Sequence, residues 1–382
     1  MHTPGTAEDL AGVLHQLAQN ERTIVLEGAG TKRAMGGPID SSGEIVSTRT
    51  LTRVLQYEPR DLTISVEAGL PWAELTRLLQ QNRQMVPLDP PFARDATVGG
   101  AVASNSSGPR RRLFGTARDL VIGMQFATLE GKLVQSGGMV VKNVAGLDMG
   151  KLMIGSFGTL AAIALVNFKL LPVPDIERSF LLSFDSLTQA IAARNRILAS
   201  TLQPAAIDLL NPPTGATLGN KAWLLAVRAG GNAAGVDRYE SELATIAPGV
   251  AFEDARQQTL WAHIGDFTPR FLRTNPNGVV VRVSCTLKEL EGVVASFDGP
   301  IVARAGSGVC YGYFERPEDA EAWLAGPGAG GVTSLVEYSP EPWKNAAELW
   351  PAPGGDLELM RRIKSLFDPS NLLNRGRLYR RI

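Results

Sequence analysis

Three glycine-rich stretches in the first half of the chain have the composition to bind a charged ligand. They are Glu27-Gly28-Ala29-Gly30-Thr31-Lys32, residues 96–108 (ATVGGAVASNSSG) and Gly155-Ser156-Phe157-Gly158-Thr159-Leu160. Glycine adopts positive φ at little cost and lets the backbone come close to a ligand. Successive N–H groups can then converge on a phosphate. The first stretch is neither of the familiar phosphate loops. A Rossmann fingerprint needs a helix directly behind it, and Gly36, Gly37, Pro38, Ser41, Ser42 and Gly43 break one; a Gly-Lys-Ser/Thr ending is also absent. Taken alone, it suits an ordinary strand-to-loop turn as well as an anion nest. The second stretch holds Thr97, Gly99, Gly100, Ser104, Asn105, Ser106 and Ser107 and is nearly free of bulk. It suits a backbone lying against something flat or charged. The alternative is a small-residue helix, which Ser and Asn disfavour. The third stretch leads into a long apolar strand, and its plain alternative is a loop. Together the three predict an extended phosphate-bearing ligand, without saying which.

Acid–base chemistry is harder to place. The chain has three histidines, His2 at the terminus, His15 on the first helix and His263 in Leu260-Trp261-Ala262-His263. The last reads as a satisfied or surface histidine rather than a ligand. No His/carboxylate cluster has metal-ligand spacing, so no metal is expected. Cys285 and Cys310 make neither a metal set nor a disulfide framework, which points to a reducing compartment. Arg273, Arg304 and Lys344 could hold a carboxylate, but suit surface ion pairs equally. Arg110, Arg111 and Arg112 read as a solvated basic loop.

These residues need elements to position them. Residues 7–19 read as a helix with Leu10, Val13, Leu14 and Leu17 on one face, and residues 23–27, 44–48 and 62–67 as strands. Pro71 opens a helix with Leu75, Leu78 and Leu79 inward. Residues 121–129 and 132–135 form a hairpin around Glu130-Gly131, and residues 161–171 a long buried strand. Pro172 and Pro174 mark a boundary. Beyond it, strands at 179–184, 222–228 and 279–286 alternate with helices at 186–199, 236–246 and 287–296. Residues 300–314 hold strand and turn, ahead of a helix at 317–324. This order predicts an α+β domain with helices on one face of a sheet. The tail reads as a helix from Asp356 and then a turn at Asp368-Pro369-Ser370-Asn371.

Bulk properties set outer limits. The chain of 382 residues suffices for two domains, with 44% hydrophobic and 20% charged residues and zero formal net charge. That neutrality gives no argument for nucleic-acid binding. The start lacks the basic and apolar segments of a secretory leader. The longest apolar stretch, residues 152–166, is interrupted by Gly155, Ser156, Gly158 and Thr159 and is shorter than the roughly 20 residues that span a bilayer. No integral membrane segment is expected, and a cytoplasmic site follows, with any membrane contact peripheral at the inner face and through partners.

Gly28-Ala29-Gly30-Thr31, residues 96–108, Phe114-Gly115, Lys142-Asn143-Val144-Ala145-Gly146 and Gly155-Ser156-Phe157-Gly158-Thr159-Leu160 occur in the order seen in FAD domains of the vanillyl-alcohol oxidase/PCMH family. The tail, residues 367–376 (FDPSNLLNRG), resembles that family's closing motif. Within the family the chain resembles the FAD-binding E subunits of bacterial glycolate oxidases (glycolate dehydrogenases). The resemblance implies an α+β fold with a two-part PCMH-type FAD-binding domain at 1–172, an α+β cap at 173–345 and a tail, 346–382, that returns to the FAD domain. It implies that the loop Gly28 to Thr31, with Lys32 beside it, and Thr97, Gly99, Gly100, Ser104, Asn105, Ser106 and Ser107 cradle the pyrophosphate of FAD. Gly158 and Ile163 would meet the flavin or adenine end, and Asn374 would lie near the isoalloxazine. Arg375 stands where relatives have Pro. The first loop has no His or Cys to tether flavin, so the FAD is expected to be non-covalent. Relatives that oxidise 2-hydroxy acids carry His-Ala-Gly-Asp-Gly-Asn in the cap; here the match is Arg304-Ala305-Gly306-Ser307-Gly308-Val309, without the His, and the catalytic residues stay unassigned. The implied function is an FAD-binding subunit that supports electron transfer beside a catalytic glycolate oxidase flavoprotein subunit and an iron–sulfur subunit, the complex oxidising a small 2-hydroxy acid. The alternatives are a self-sufficient FAD-dependent D-2-hydroxy-acid dehydrogenase and a structural subunit with a vestigial flavin site.

Overall fold

Leucines at helical spacing start the fold. α1 (Ala7–Gln19) buries Leu10, Ala11, Leu14 and Leu17 on one face, and the Thr6 hydroxyl caps it by accepting from Asp9 N. The computed structural model describes residues 1–140, 148–326, 328, 330–345, 347–379 and 382. The chain forms two units. The first comprises Met1–Ser107, Gly115–Val173 and Ala352–Ile382; the second comprises Gly108–Phe114 and Pro174–Pro351.

In the first unit the elements run β1 (Ile24–Glu27), β2 (Glu44–Ser47), β3 (Val54–Glu58), β4 (Thr63–Glu67), α2 (Trp72–Gln80), β5 (Gln84–Met85), α3 (Val98–Ala103), β6 (Val121–Ala127), β7 (Leu133–Gly137), β8 (Ala162–Lys169) and β9 (Leu171–Pro172). β1 and β2 pair in parallel, Ile24 opposite Glu44. A separate five-stranded sheet has the order β3-β4-β8-β6-β7, with neighbours antiparallel. The expected hairpin is β6 with β7, Gly123 opposite Gly137. Periodicity gives no sign of β3, because four of its five residues are exposed and none marks an inner face. α2 buries Trp72, Leu75 and Leu79, while Leu78 is only half-buried. The reading of residues 96–108 needs correction: Val98–Ala103 is a helix. Ser104 stands at its C-cap and Asn105 takes φ +46° beyond it, so the residues that disfavour helix interiors lie outside the helix.

The second unit is an antiparallel sheet of eight strands: β10 (Ile176–Phe184), β11 (Ala206–Leu210), β12 (Trp223–Gly231), β13 (Gly249–Glu253), β14 (Val279–Ser284), β15 (Ile301–Arg304), β16 (Val309–Phe314) and β17 (Thr333–Tyr338), ordered β13-β10-β12-β11-β15-β16-β14-β17. Helices Leu187–Ala199, Ala233–Ala244, Leu290–Ala295 and Pro317–Ala325 pack on one face through Ile191, Ile197, Leu243, Val294 and Trp323. The opposite face is also covered, contrary to the one-faced expectation. Helix Asp254–Gly265 reaches it where Trp261 Nε1 donates to Ser179 Oγ at 2.7 Å, and Phe267 and Phe271 of the next helix pack on Tyr313.

The tail belongs to the first unit. Helix Asp356–Phe367 places Lys364 in the interior, where its ammonium donates to Thr159 O (2.7 Å), Leu373 O (2.9 Å) and Asp368 Oδ2 (2.6 Å). The same carboxylate accepts from Leu372 N and Leu373 N. Residues 372–374 then run beside β1, with Ile24 N donating to Leu372 O at 2.8 Å and Asn374 N to Ile24 O at 2.9 Å. Removing one partner of a buried pair strands the other charge. Lys364→Met is therefore expected to destabilise the first unit by about 3–5 kcal/mol, read as a lower urea midpoint with FAD absent.

Candidate functional site

β1 carries the first glycine stretch to its position. Ile24 and Val25 are buried, and the strand ends at Glu27 where Gly28 begins the loop. A Cβ on Gly28 would lie 2.1 Å from Thr97 Oγ1, and Gly30 has φ +71°. Both positions therefore require glycine. Among the described residues, the backbone N–H groups of Gly28, Ala29, Gly30 and Thr31 have no acceptor in the protein. Four successive donors left to solvent form the nest that an anion satisfies. Across from them, Thr97 caps α3 by accepting from Gly100 N at 3.2 Å. Gly99 presses on the preceding segment: its N–H donates to Ala68 O at 2.7 Å, and a Cβ would sit 2.7 Å from Ala68 Cβ. Gly155 N donates to Val102 O and Phe157 N to Ala103 O, which ties the third stretch to the end of α3.

Two adjoining clefts result. The first is lined by the loop 28–32, by Thr97, Gly100 and Ser104, and by Asn374; the second by Gly28, Gly99, Gly100, Gly158 and Ile163. Leu26, Glu27, Gly28, Gly100, Ala103 and Phe157 border both. Of the fifteen residues expected to hold cofactor, Asn105 is exposed, and Ser106 and Ser107 are buried outside both linings. The motif Lys142 to Gly146 lies outside the described residues.

The closing tail does more than border the cleft. Asn374 Oδ1 accepts from Leu26 N at 2.7 Å, and its Nδ2 donates to Phe157 O at 2.6 Å and Leu26 O at 3.2 Å. One side chain thus joins the first and third glycine stretches. Arg377 donates to Lys32 O, Arg33 O and Gly37 O at 2.8–3.1 Å, and its guanidinium lies 5.7 Å from the centre of the Phe157 ring. A Cβ on Gly37 would lie 2.1 Å from Gly376 O, so that glycine is required for the tail to seat. Arg375, at the position of the relatives' proline, pairs with Asp40 at 2.5 Å. Asp40 is held below the usual carboxylate range, first by the Ser42 hydroxyl and also by Arg375. Sequence reasoning missed Arg377 because nothing in its type or spacing ties it to residues 32–37; Phe157 lay inside a motif read for its glycines.

Diphosphate chemistry fits these residues: unpaired amides, glycines whose Cβ atoms would meet the opposite wall, and Lys32 and Arg377 at the same cleft. In the second unit the group matching the relatives' motif is closed on itself. Arg304 is buried and paired with buried Asp208, beneath the Tyr311 ring. It is thus engaged internally rather than presented to a substrate carboxylate. Lys344 is fully buried against Glu341 at 3.1 Å, and Arg273 is exposed. His263 bonds Thr217 Oγ1 through Nε2 (2.8 Å) and Arg270 through Nδ1 (2.5 Å). Arginine can only donate, so Nδ1 carries no proton. Burial, with the Arg270 charge, pushes the His263 pKa down to about 4. Among the described residues, no three His, Cys, Asp or Glu are grouped to hold a metal, and no helix is long and apolar enough to cross a membrane.

Comparison with known proteins adds the chemistry of relatives. Residues 1–137 match an FAD binding domain family, and residues 352–378 match the C-terminal domain of FAD linked oxidases. Glycolate oxidase subunit GlcD of Bacillus subtilis is 24% identical over 417 residues, spanning 98% of this chain and 88% of that protein. Glycolate oxidase subunit GlcE of Escherichia coli is 35% identical over 162 residues, 42% of this chain and 46% of that protein. D-2-hydroxyglutarate dehydrogenase of Xanthomonas citri is 26% identical over 424 residues, 98% of this chain and 88% of that protein. Two solved structures share the fold. An alkyldihydroxyacetonephosphate synthase gives TM-score 0.74 at 18% identity, covering 97% of this chain and 76% of that one. A 4-ethylphenol oxidase from Gulosibacter chungangensis gives 0.74 at 13%, covering 99% and 88%.

Two outcomes follow from this geometry. Gly30→Val forces a β-branched residue to positive φ, which costs about 1–3 kcal/mol, and Gly99→Val drives a side chain into Ala68. Each variant should lose FAD by at least tenfold in affinity while far-UV circular dichroism stays unchanged; normal FAD content in both would remove the loop assignment. His263 is neutral in the fold but takes a proton near pH 6.5 when unfolded. Its contribution is complete above pH 6.5 and is lost as pH falls toward 4. His263→Gln should therefore flatten the pH dependence of urea stability in that window.

Proposed function

We infer that this chain, whose residues 1–137 match an FAD binding domain family and residues 352–378 the C-terminal domain of FAD linked oxidases, is the FAD-holding subunit of a complex that oxidises a small 2-hydroxy acid, glycolate to glyoxylate. The observation that carries this reading is the pairing of an open amide nest in the first unit with a closed Arg304–Asp208 pair in the second. FAD, when bound, would supply a carrier for electrons; the oxidation itself moves hydride to a flavin from the carbon that bears the hydroxyl. The hydroxyl proton must leave at the same time, and a positioned base or metal typically contributes about 10²–10⁴-fold. Arg304 cannot accept a proton near neutral pH. Asp208 already carries that guanidinium, which makes it a poor base. His263 is neutral, but both its nitrogens are bonded within the second unit. The proton-handling step is therefore assigned to a catalytic flavoprotein subunit, and this chain's part is to hold flavin and support electron transfer toward an iron–sulfur subunit. The flavin is non-covalent, because the loop next to the nest offers no His or Cys. The complex works in the cytoplasm, with any membrane contact peripheral.

A second reading has its own support. The alignments with GlcD and with D-2-hydroxyglutarate dehydrogenase each run through 98% of the chain, as a self-sufficient dehydrogenase would require. One experiment separates the two. FAD-loaded isolated chain is mixed anaerobically with excess glycolate or D-lactate while flavin absorbance is followed. The subunit reading predicts no bleaching on the time scale of turnover, with bleaching restored by the partner subunits. Rapid bleaching of the isolated chain would replace it with the dehydrogenase reading.

A further inference from the structure

We propose that Glu27 binds hydroxyl groups of the dinucleotide, an inference that rests on reading the two clefts as an FAD site. Glu27 ends β1 and borders both clefts. Only one of its oxygens is engaged: Arg33 donates to Oε2 from Nε at 2.8 Å and from Nη2 at 2.6 Å. Among the described residues, no protein group donates to Oε1. The side chain is 14% exposed and Oε1 is not among the fully buried unpartnered atoms, so water can serve this oxygen until a ligand arrives. A ligand filling the clefts removes what water remains, and a carboxylate oxygen left without a donor is costly. The ligand must therefore bring a donor to this point.

The neighbouring groups restrict what that donor is. The amides of Gly28 to Thr31 take an anion. A phosphodiester has no O–H to give and is repelled by a carboxylate. Arg33 offsets the Glu27 charge, so the carboxylate does not empty the nest beside it. A hydroxyl is neutral and donates, and a carboxylate is its stronger acceptor. FAD carries hydroxyls on both sides of its diphosphate, on the ribityl chain and on the adenosine ribose. Glu27 and the nest thus divide the ligand, the amides holding its charged part and the carboxylate its polyol part.

The test titrates the full chain, stripped of flavin, with FAD, FMN and ADP, for wild type, Glu27→Gln, Glu27→Leu and Arg33→Met. Glu27→Gln should weaken FAD about tenfold and Glu27→Leu up to about a hundredfold, with unchanged circular dichroism. Loss of ADP affinity alongside FAD assigns the hydroxyl to the ribose; loss for FAD and FMN with ADP unchanged assigns it to the ribityl chain. Unchanged or tighter FAD binding by both Glu27 variants overturns the inference and leaves the FAD site standing. Arg33→Met leaves the carboxylate uncompensated beside the nest and should weaken FAD, FMN and ADP alike; a Glu27→Gln loss with that same pattern across all three ligands also overturns the inference, because the effect would then run through the ion pair. A wild-type chain that binds no FAD overturns both.

Discussion

The first unit depends on a tie between its two sequence ends. Lys364 anchors the tail through Thr159, Asp368 and Leu373; Asn374 bridges Leu26 to Phe157; Arg377 gathers the carbonyls of Lys32, Arg33 and Gly37. Arg377 takes carbonyls that follow the loop, and Asn374 takes the amide and the carbonyl of Leu26 before it. Among the described residues, the amides of Gly28 to Thr31, which line the first cleft, are left without an acceptor in the protein. A glycine loop is flexible by composition, and a phosphate nest works only if its donors are aligned before the ligand arrives. Here the alignment is supplied by residues more than three hundred positions away.

That distance also explains what the sequence could reveal. The helix at 7–19, the hairpin at 121–137 and the strand at 162–169 were legible because apolar spacing records which face is inside. β3 was not, since its residues are mostly exposed, and neither were β11, β13 and β17, which are only five or six residues long. The glycine loops stood out as a candidate site because glycine gives a backbone the positive φ and close approach that a ligand loop uses. Twelve of the named residues, from Gly28 to Lys32 and including Thr97, Gly99, Gly100, Ser104, Gly158, Ile163 and Asn374, border the clefts. Asn105, Ser106 and Ser107 do not, because the helix 98–103 ends before them and turns the chain away. Arg377 went unnamed and Glu27 was read only as the start of the first glycine stretch, as a single charge shows its partners only once the chain is folded.

The second unit shows a different economy. In its sheet β15 ends at Arg304, which is buried and locked to Asp208. A buried ion pair contributes little net stability, but it cannot be opened cheaply. The arrangement therefore suits a scaffold better than a site that must release and rebind protons on each turnover. The same unit contains Gly108–Phe114, a segment from within the stretch that otherwise belongs to the first unit, and Arg112 of that segment donates to Pro204 O at 2.7 Å.

The central claim is that the first unit holds FAD through a nest of backbone donors and no covalent bond. The most direct measurement is the flavin content of the purified chain, with the chromophore followed after acid precipitation. The account predicts one FAD per chain, recovered intact in the supernatant. A chain that neither carries flavin nor takes it up on reconstitution, or a pellet that keeps the yellow colour after washing, would contradict it.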